Sequence, residues 1–186
     1  GIEGILFTDY QGFGESILQA AEANKTPAVL VNAALLDPRV VPRNHYRYWI
    51  GGVAPDDRES GVRLATSLIA SAAAKGAKEF NILAYSGSKE LPMLRRLEGF
   101  KAVVDARSDV HLVDIFPIND GEDAVIEAFD SAIAAHPAVN IVWSFHDQLA
   151  LTAARHYHQM RAQPDISFGG INWTGESMDG LERGLL

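Results

Sequence analysis

The 186-residue sequence contains no cysteine. Disulfides, thiol nucleophiles, Cys-ligated zinc and iron–sulfur clusters are therefore excluded, although the compartment is left open. Positive charge is also scarce. Lys and Arg number 16 against 24 Asp and Glu, a formal net charge of −8. A surface that holds nucleic-acid phosphates needs a basic face, so nucleic acid is not an expected partner of this stretch. No run approaches the roughly 20 apolar residues that span a bilayer, and no signal-peptide pattern is present. Nucleotide signatures are missing too. Gly12-Phe13-Gly14 lacks the third glycine of the dinucleotide fingerprint, and neither a phosphate-loop pattern nor a G-x-S-x-G elbow occurs. No cofactor, metal or catalytic residue is assigned on this basis.

The remaining composition is that of a folded chain. Apolar residues make up 47% and charged residues 22%, which argues against disorder. A chain of this size buries roughly 70% of the surface its unfolded form exposes, as one large domain or two small ones. The chain begins at Gly1 without Met and stops just after a helix-like stretch at Leu185-Leu186. Both ends read as cut, so the expectation is a fragment of a longer protein. The missing signal peptide then carries no information.

Short apolar runs alternate with longer amphipathic stretches. The runs are Gly4–Phe7, Ala28–Val31, Phe80–Ala84, His111–Phe116, Ile141–Trp143 and Ile166–Phe168, with Tyr48–Ile50 as a further candidate. Each has the length of a strand buried on both faces, as in a parallel sheet. Between them the period turns helical: Val62, Ala65, Ile69 and Ala72 share a stripe, as do Met93, Leu97, Phe100 and Val104, and Ile126, Phe129 and Ile133. Asp56 with Glu59 has capping-box spacing, and Asp120 and Asp147 each stand between a strand and a helical stretch. The pattern predicts an α/β fold of open parallel sheets flanked by helices, Rossmann-like in its βαβ units. Leu35–Tyr48, with two prolines and three arginines, reads as a surface loop. Gly51-Gly52-Val53-Ala54-Pro55 reads as a hinge or domain boundary.

Ligands of open α/β sheets bind beyond the C-terminal strand ends, and here those ends are polar. The runs lead into Thr8-Asp9-Tyr10, Asn32, Tyr85-Ser86-Gly87-Ser88, Asn119-Asp120, Ser144-Phe145-His146-Asp147 and Asn172-Trp173-Thr174. Amides, an acid, a histidine and aromatic rings along one edge suit a polyhydroxylated ligand: planar polar groups take hydroxyl pairs and ring faces cover C–H patches. Strand ends also enter loops, which are polar for solvation alone. Arg96 shares the buried stripe of Met93 and Phe100. It must reach a ligand, snorkel to water, or pair inside the protein. Asp56, Asp120 and Asp147 read first as helix caps. His146 beside Asp147 fits a turn histidine as well as a functional one. His156 and His158, two apart, face different directions and make a poor metal pair.

Taken in order, these segments resemble the type I periplasmic binding proteins of sugar-transport systems, whose fold the ligand domains of lactose-repressor-like regulators share. Ile2-Glu3-Gly4-Ile5-Leu6-Phe7 is similar to the family's opening "VDGIII" strand, and Asn24-Lys25-Thr26-Pro27-Ala28-Val29-Leu30-Val31-Asn32 to "GIPVVTVD". Pro55-Asp56-Asp57-Arg58-Glu59-Ser60-Gly61 is similar to "SDNYEAG", and Arg96-Leu97-Glu98-Gly99-Phe100 to "RxxGF". His136-Pro137-Ala138-Val139 with Trp143-Ser144-Phe145-His146-Asp147 resembles "HPDIDAVFAAND", and Gly169-Gly170-Ile171-Asn172-Trp173 falls where the family has "VVGFDG". The resemblance covers the whole chain. It implies that residues 1–55 are part of an N-terminal lobe and residues 56–186 nearly all of a C-terminal lobe. The family's first two β-α units and last strand-helix segment would lie outside this stretch.

The resemblance also implies a ligand set: Asn32, Arg96, Asp120 or its neighbour Asn119, His146, and Asn172 with Trp173 beside it; Tyr85, at a strand end, is a further candidate for ring stacking. Asn32 with Ala33 stands in place of an Asp-Arg pair, His146 in place of an Asn, and Asn172 in place of an Asp. Two carboxylates and one arginine of the usual pocket are thereby absent, which points towards a modified sugar or a signalling molecule. The Leu35–Tyr48 loop is longer than the family norm. The implied function is an extracytoplasmic, periplasmic solute-binding protein for a small sugar-like ligand. It would be read by a membrane ABC transporter or a sensor kinase. The alternative is the ligand-sensing domain of a lactose-repressor-like transcriptional regulator. A third reading, a hydrolase using His146 and Asp147, ranks last because no nucleophile accompanies them.

Overall fold

A computed structural model describes residues 1–9, 12–35, 37, 39–87, 90–117, 121–160 and 165–186. Strands and helices alternate as β1 (Ile5–Phe7), α1 (Gly14–Ala23), β2 (Ala28–Val31), β3 (Trp49–Val53), α2 (Asp57–Ala74), β4 (Phe80–Ser86), α3 (Leu91–Asp105), β5 (Val110–Pro117), α4 (Glu122–Ala135), β6 (Ile141–Ser144), α5 (Asp147–Met160), β7 (Ser167–Gly170) and α6 (Gly175–Glu182). The chain forms two compact units, residues 1–56 with 89–94 and residues 57–88 with 95–186. Among the described residues no helix is long and apolar enough to cross a membrane.

The first unit is a three-stranded parallel sheet in the order β1-β2-β3. Phe7, Ala28, Leu30 and Trp49 point to one face, where Leu18 and Ala21 of α1 cover them. This follows from strand parity, since alternate residues face opposite sides. Asp9 accepts the Gly14 N–H at 2.8 Å and so satisfies an orphan donor at the start of α1. The expected loop 35–48 is anchored at both ends. Leu35 is buried, and the Tyr48 N–H donates to Glu22 on α1 at 2.9 Å. Of the segment read as a hinge or boundary, Gly51-Gly52-Val53 lies in β3, paired with Val29-Leu30-Val31, and the division between the units falls just after it, at Asp56. Residues 54–56 link β3 to α2.

The second unit holds a four-stranded parallel sheet, β5-β4-β6-β7. Its central strands are buried on both faces. Ile82, Ala84, Ile141 and Trp143 point to one side, against Leu68 and Ile69 of α2 and Phe100 of α3. Leu83, Tyr85 and Val142 point to the other, against Val125 and Phe129 of α4 and Tyr157 of α5. Burying each large side chain is worth about 1.5–3 kcal/mol, and the stacked Phe100–Trp143 pair at 4.5 Å adds to that. β5 departs from expectation. Its run is largely half-exposed because it is an edge strand. The α4 stripe also rotates slightly: Val125, Ala128, Phe129 and Ala132 are buried, while Ile126 and Ile133 flank them.

Helices α2 and α3 meet at two glycines. A Cβ on Gly61 would run into the Arg96 carbonyl, and one on Gly99 into the Arg58 carbonyl. Backbone therefore touches backbone at this crossing. That contact sets the distance between the side chains that flank it.

Candidate functional site

In the first unit Asn32 ends β2. It is exposed, with φ of +61°. Asn tolerates this left-handed conformation better than most residues. Its backbone N–H is held by the Val53 carbonyl at 2.8 Å, which leaves the side-chain amide without a partner among the described residues.

The second unit gathers more. After β6 the chain makes a tight turn: the Ser144 hydroxyl donates to the His146 carbonyl at 2.7 Å and accepts the His146 N–H at 3.2 Å. The Asp147 N–H then donates to Ile171 at 3.0 Å, joining this turn to the end of β7. Asp147 is buried and fully used. Its Oδ2 accepts the Thr174 N–H at 3.0 Å and the Thr174 hydroxyl at 2.9 Å, and its Oδ1 accepts the Gln148 N–H at 2.9 Å. Burial alone would raise its pKa. The bonds from Thr174 and Ser177, with His146 nearby, outweigh burial and hold the carboxyl below its ordinary range. Thr174 in turn caps α6. Asp147 thus braces two strand ends.

His146 is half-buried. Its Nδ1 lies 3.1 Å from Asp147 Oδ1 and 3.3 Å from the Gln148 N–H. Either contact occupies Nδ1, so Nε2 is the ring nitrogen left for a ligand. Burial lowers the His146 pKa; Asp147 opposes that and Arg96 reinforces it. The lowering favours the neutral ring near pH 7. Ser144 is the neighbouring hydroxyl, but it is buried and donates to the backbone. That arrangement does not present Ser144 as a nucleophile to His146.

Asn172 and Trp173 follow β7. Asn172 is exposed at φ of +133°, a region costly for a residue with a side chain. Trp173 is 78% exposed. Its position beside the capped start of α6 holds its backbone while leaving its ring uncovered. A cleft of about 310 Å³ opens nearby between α2, β7 and α6. Its walls are apolar, from Leu64, Leu68, Phe168, Met178 and Leu181.

Two expectations change. Tyr85 is fully buried, and its hydroxyl donates to the Val125 carbonyl at 3.3 Å. Burial pushes its pKa far up. β4 extends through Ser86, so Tyr85 sits inside the strand, shares Leu83's face, and is core rather than a stacking surface. Arg96 is also buried, at 8% exposure. Its Nε donates to Asp57 at 2.8 Å and its Nη1 to the Phe145 carbonyl at 2.9 Å. Of the three roles open to it, pairing inside the protein is the one found. Asn119 and Asp120 lie outside the described residues.

Sequence reading missed Asp57, Gly61 and Gly99 as a set. The signal was present: Asp57 and Gly61 are four apart on α2, Arg96 and Gly99 three apart on α3, so each pair shares a helix face. Among the described residues no group of three His, Asp or Glu could hold a metal ion.

No family model matches the sequence, and no curated protein sequence matches it. Solved structures do match in shape. A periplasmic sugar-binding protein from Pseudomonas fluorescens aligns with a TM-score of 0.79 at 23% identity, over 99% of this chain and 55% of its own. The fructose-binding periplasmic domain of a hybrid two-component system gives 0.75 at 19% identity, over 100% and 59%. An ABC transporter solute-binding protein from Agrobacterium vitis with bound D-fucose gives 0.78 at 16% identity, over 99% and 61%. The chain thus spans little more than half the length of these proteins. Its parallel sheets, helices and connections are those of the type I periplasmic sugar-binding fold.

Proposed function

We infer that the chain is part of an extracytoplasmic solute-binding protein that holds a small sugar-like ligand between two lobes. In this reading residues 1–55 contribute to an N-terminal lobe and residues 56–186 form most of a C-terminal lobe. The protein acts in the periplasm, without covalent chemistry, and lobe closure is its output. An ABC transporter or a sensor kinase reads that output; the D-fucose-bound transporter protein and the fructose-binding sensor domain among the structural neighbours represent both.

The observation that carries this reading is the end of β7. An uncovered indole at Trp173 stands beside an amide at Asn172 in a strained backbone conformation. Strain of this kind persists where the surrounding structure enforces it, and it clusters at ligand clamps. An exposed ring face and an exposed amide match the C–H patch and hydroxyl pair of a sugar. His146 Nε2, at the end of the adjacent strand β6, supplies a further polar group.

A thermal-shift screen of the protein against pentoses, hexoses and modified sugars tests this. Ligand at a hundred times its Kd adds about 2.7 kcal/mol. The expected result is a hit that quenches or shifts indole fluorescence and weakens in Trp173→Ala and Asn172→Ala. A flat screen, or a hit indifferent to both substitutions, would reject the site.

A further inference from the structure

We propose that Arg96 is a positioning residue: it anchors Phe145 and thereby sets the His146 ring in the orientation that presents Nε2 to a ligand. The anchoring is a property of the free protein; only its effect on binding rests on the solute-binding reading above.

The geometry argues for a brace. Guanidinium donors diverge in a fixed fork, and here one fork spans two elements. Nε takes Asp57 on α2 at 2.8 Å and Nη1 takes the Phe145 carbonyl at 2.9 Å. The Gly61 and Gly99 contacts bring α2 and α3 close enough for the first bond. The second falls one residue before His146. Phe145 is held from other sides too. Its N–H donates to the Tyr85 carbonyl at 3.2 Å, and a Cβ on Gly87 would strike its ring. The Ser144 hydroxyl closes the turn around His146. These bonds from β4, β6 and α3 fix the backbone that carries the ring, and the Nδ1 contacts with Asp147 and Gln148 on α5 then set its direction.

The arrangement is also electrostatic. Among the described residues, the charged groups that face His146 are Asp147 from α5 and Arg96 from α3. Asp57 of α2 stands behind Arg96, and the α6 hydroxyls of Thr174 and Ser177 act through Asp147. Arg96 places a positive charge near the ring and disfavours its protonation. A neutral ring can donate or accept toward a sugar hydroxyl, whereas a protonated one only donates.

Histidine-selective NMR titration of the ligand-free protein tests the brace. In Arg96→Gln the His146 midpoint should move to higher pH and its ring resonances should broaden as orientation is lost. Asp57→Asn keeps the Arg96 charge, so the midpoint should not rise, yet the ring should broaden. Arg96→Lys restores the charge without the fork, so the midpoint should return while the broadening stays. Loss of stability alone would not produce these three patterns. If Arg96→Gln does not fold, the Lys and Asn variants decide. Unchanged His146 midpoints and line widths in the folded variants would overturn the proposal.

A sugar found in the screen provides the second readout. Arg96→Gln should weaken binding about tenfold or more. The Arg96→Gln, His146→Ala double variant should lose little beyond His146→Ala alone, because both act through one ring. Fully additive losses would mean Arg96 acts independently of His146 and would overturn it. If no sugar binds, the solute-binding reading fails while the titration still decides the brace.

Discussion

Ile5-Leu6-Phe7 and Ile141-Val142-Trp143 are nearly the same tripeptide, and both form parallel strands. In β6 all three side chains are fully buried. In β1 only Phe7 is buried, and Leu6 is 76% exposed. The four-stranded sheet carries helices on both faces. In the three-stranded sheet, α1 covers the side of Phe7 and Trp49, while Leu6, Ile50 and Val53 remain open. Parallel strands are ordinarily buried on both sides. An apolar run therefore announces a strand, but the neighbouring elements decide how much of it contributes to stability.

The largest effect should come from the better-covered sheet. Trp143 is wholly buried and stacked on Phe100. Trp143→Ala should cost about 3–5 kcal/mol, with the spread set by how far the cavity collapses. Urea denaturation followed by circular dichroism measures this. A loss below about 1.5 kcal/mol would mean that β6 is not the keystone of its unit. Gly99→Ala comes next. Alanine is the better helix former by about 1 kcal/mol, so an open helix would gain. Here the new methyl meets the Arg58 carbonyl, and the crossing must open. The expected outcome is a net loss of about 1–3 kcal/mol with a weakened Asp57–Arg96 pair. A stabilised variant would show that the helices can part at no cost.

Those two positions also mark what the sequence made legible. Trp143 belongs to an unbroken apolar run, and such runs, alternating with helical periods, identified the α/β class and six of the seven strands among the described residues, with Tyr48–Ile50 only a further candidate for the remaining one, β3. The edge position of β5 was not legible, because strand order depends on pairing across distant segments. The candidate site was read more weakly. Location at a strand end drew attention to Tyr85, but strand parity places it with Leu83 in the core. Arg96 offered three roles, and its partner Asp57 lies 39 residues away, so nothing local chose among them. The positive φ values of Asn32 and Asn172 are set by the loops that hold them. Trp173 was identified from residue type and position alone, and the structure leaves its ring open.

The smallest effect should come from the open face. At 76% exposure, Leu6→Lys removes little buried area and adds a charge that water can solvate. Its expected cost is within about 0.5 kcal/mol, as for other surface substitutions. Its backbone pairing with Val29 is unaffected, because the ladder uses only main-chain groups. The same change should raise solubility, since Leu6, Ile50 and Val53 together give one sheet face an apolar character that favours association. Thermal denaturation and light scattering across a concentration series check both parts. A loss above about 1.5 kcal/mol would show that Leu6 is buried in solution. The contrast between the two sheets would then be one of partners: the second sheet carries its own cover, and the first depends on another surface to complete it.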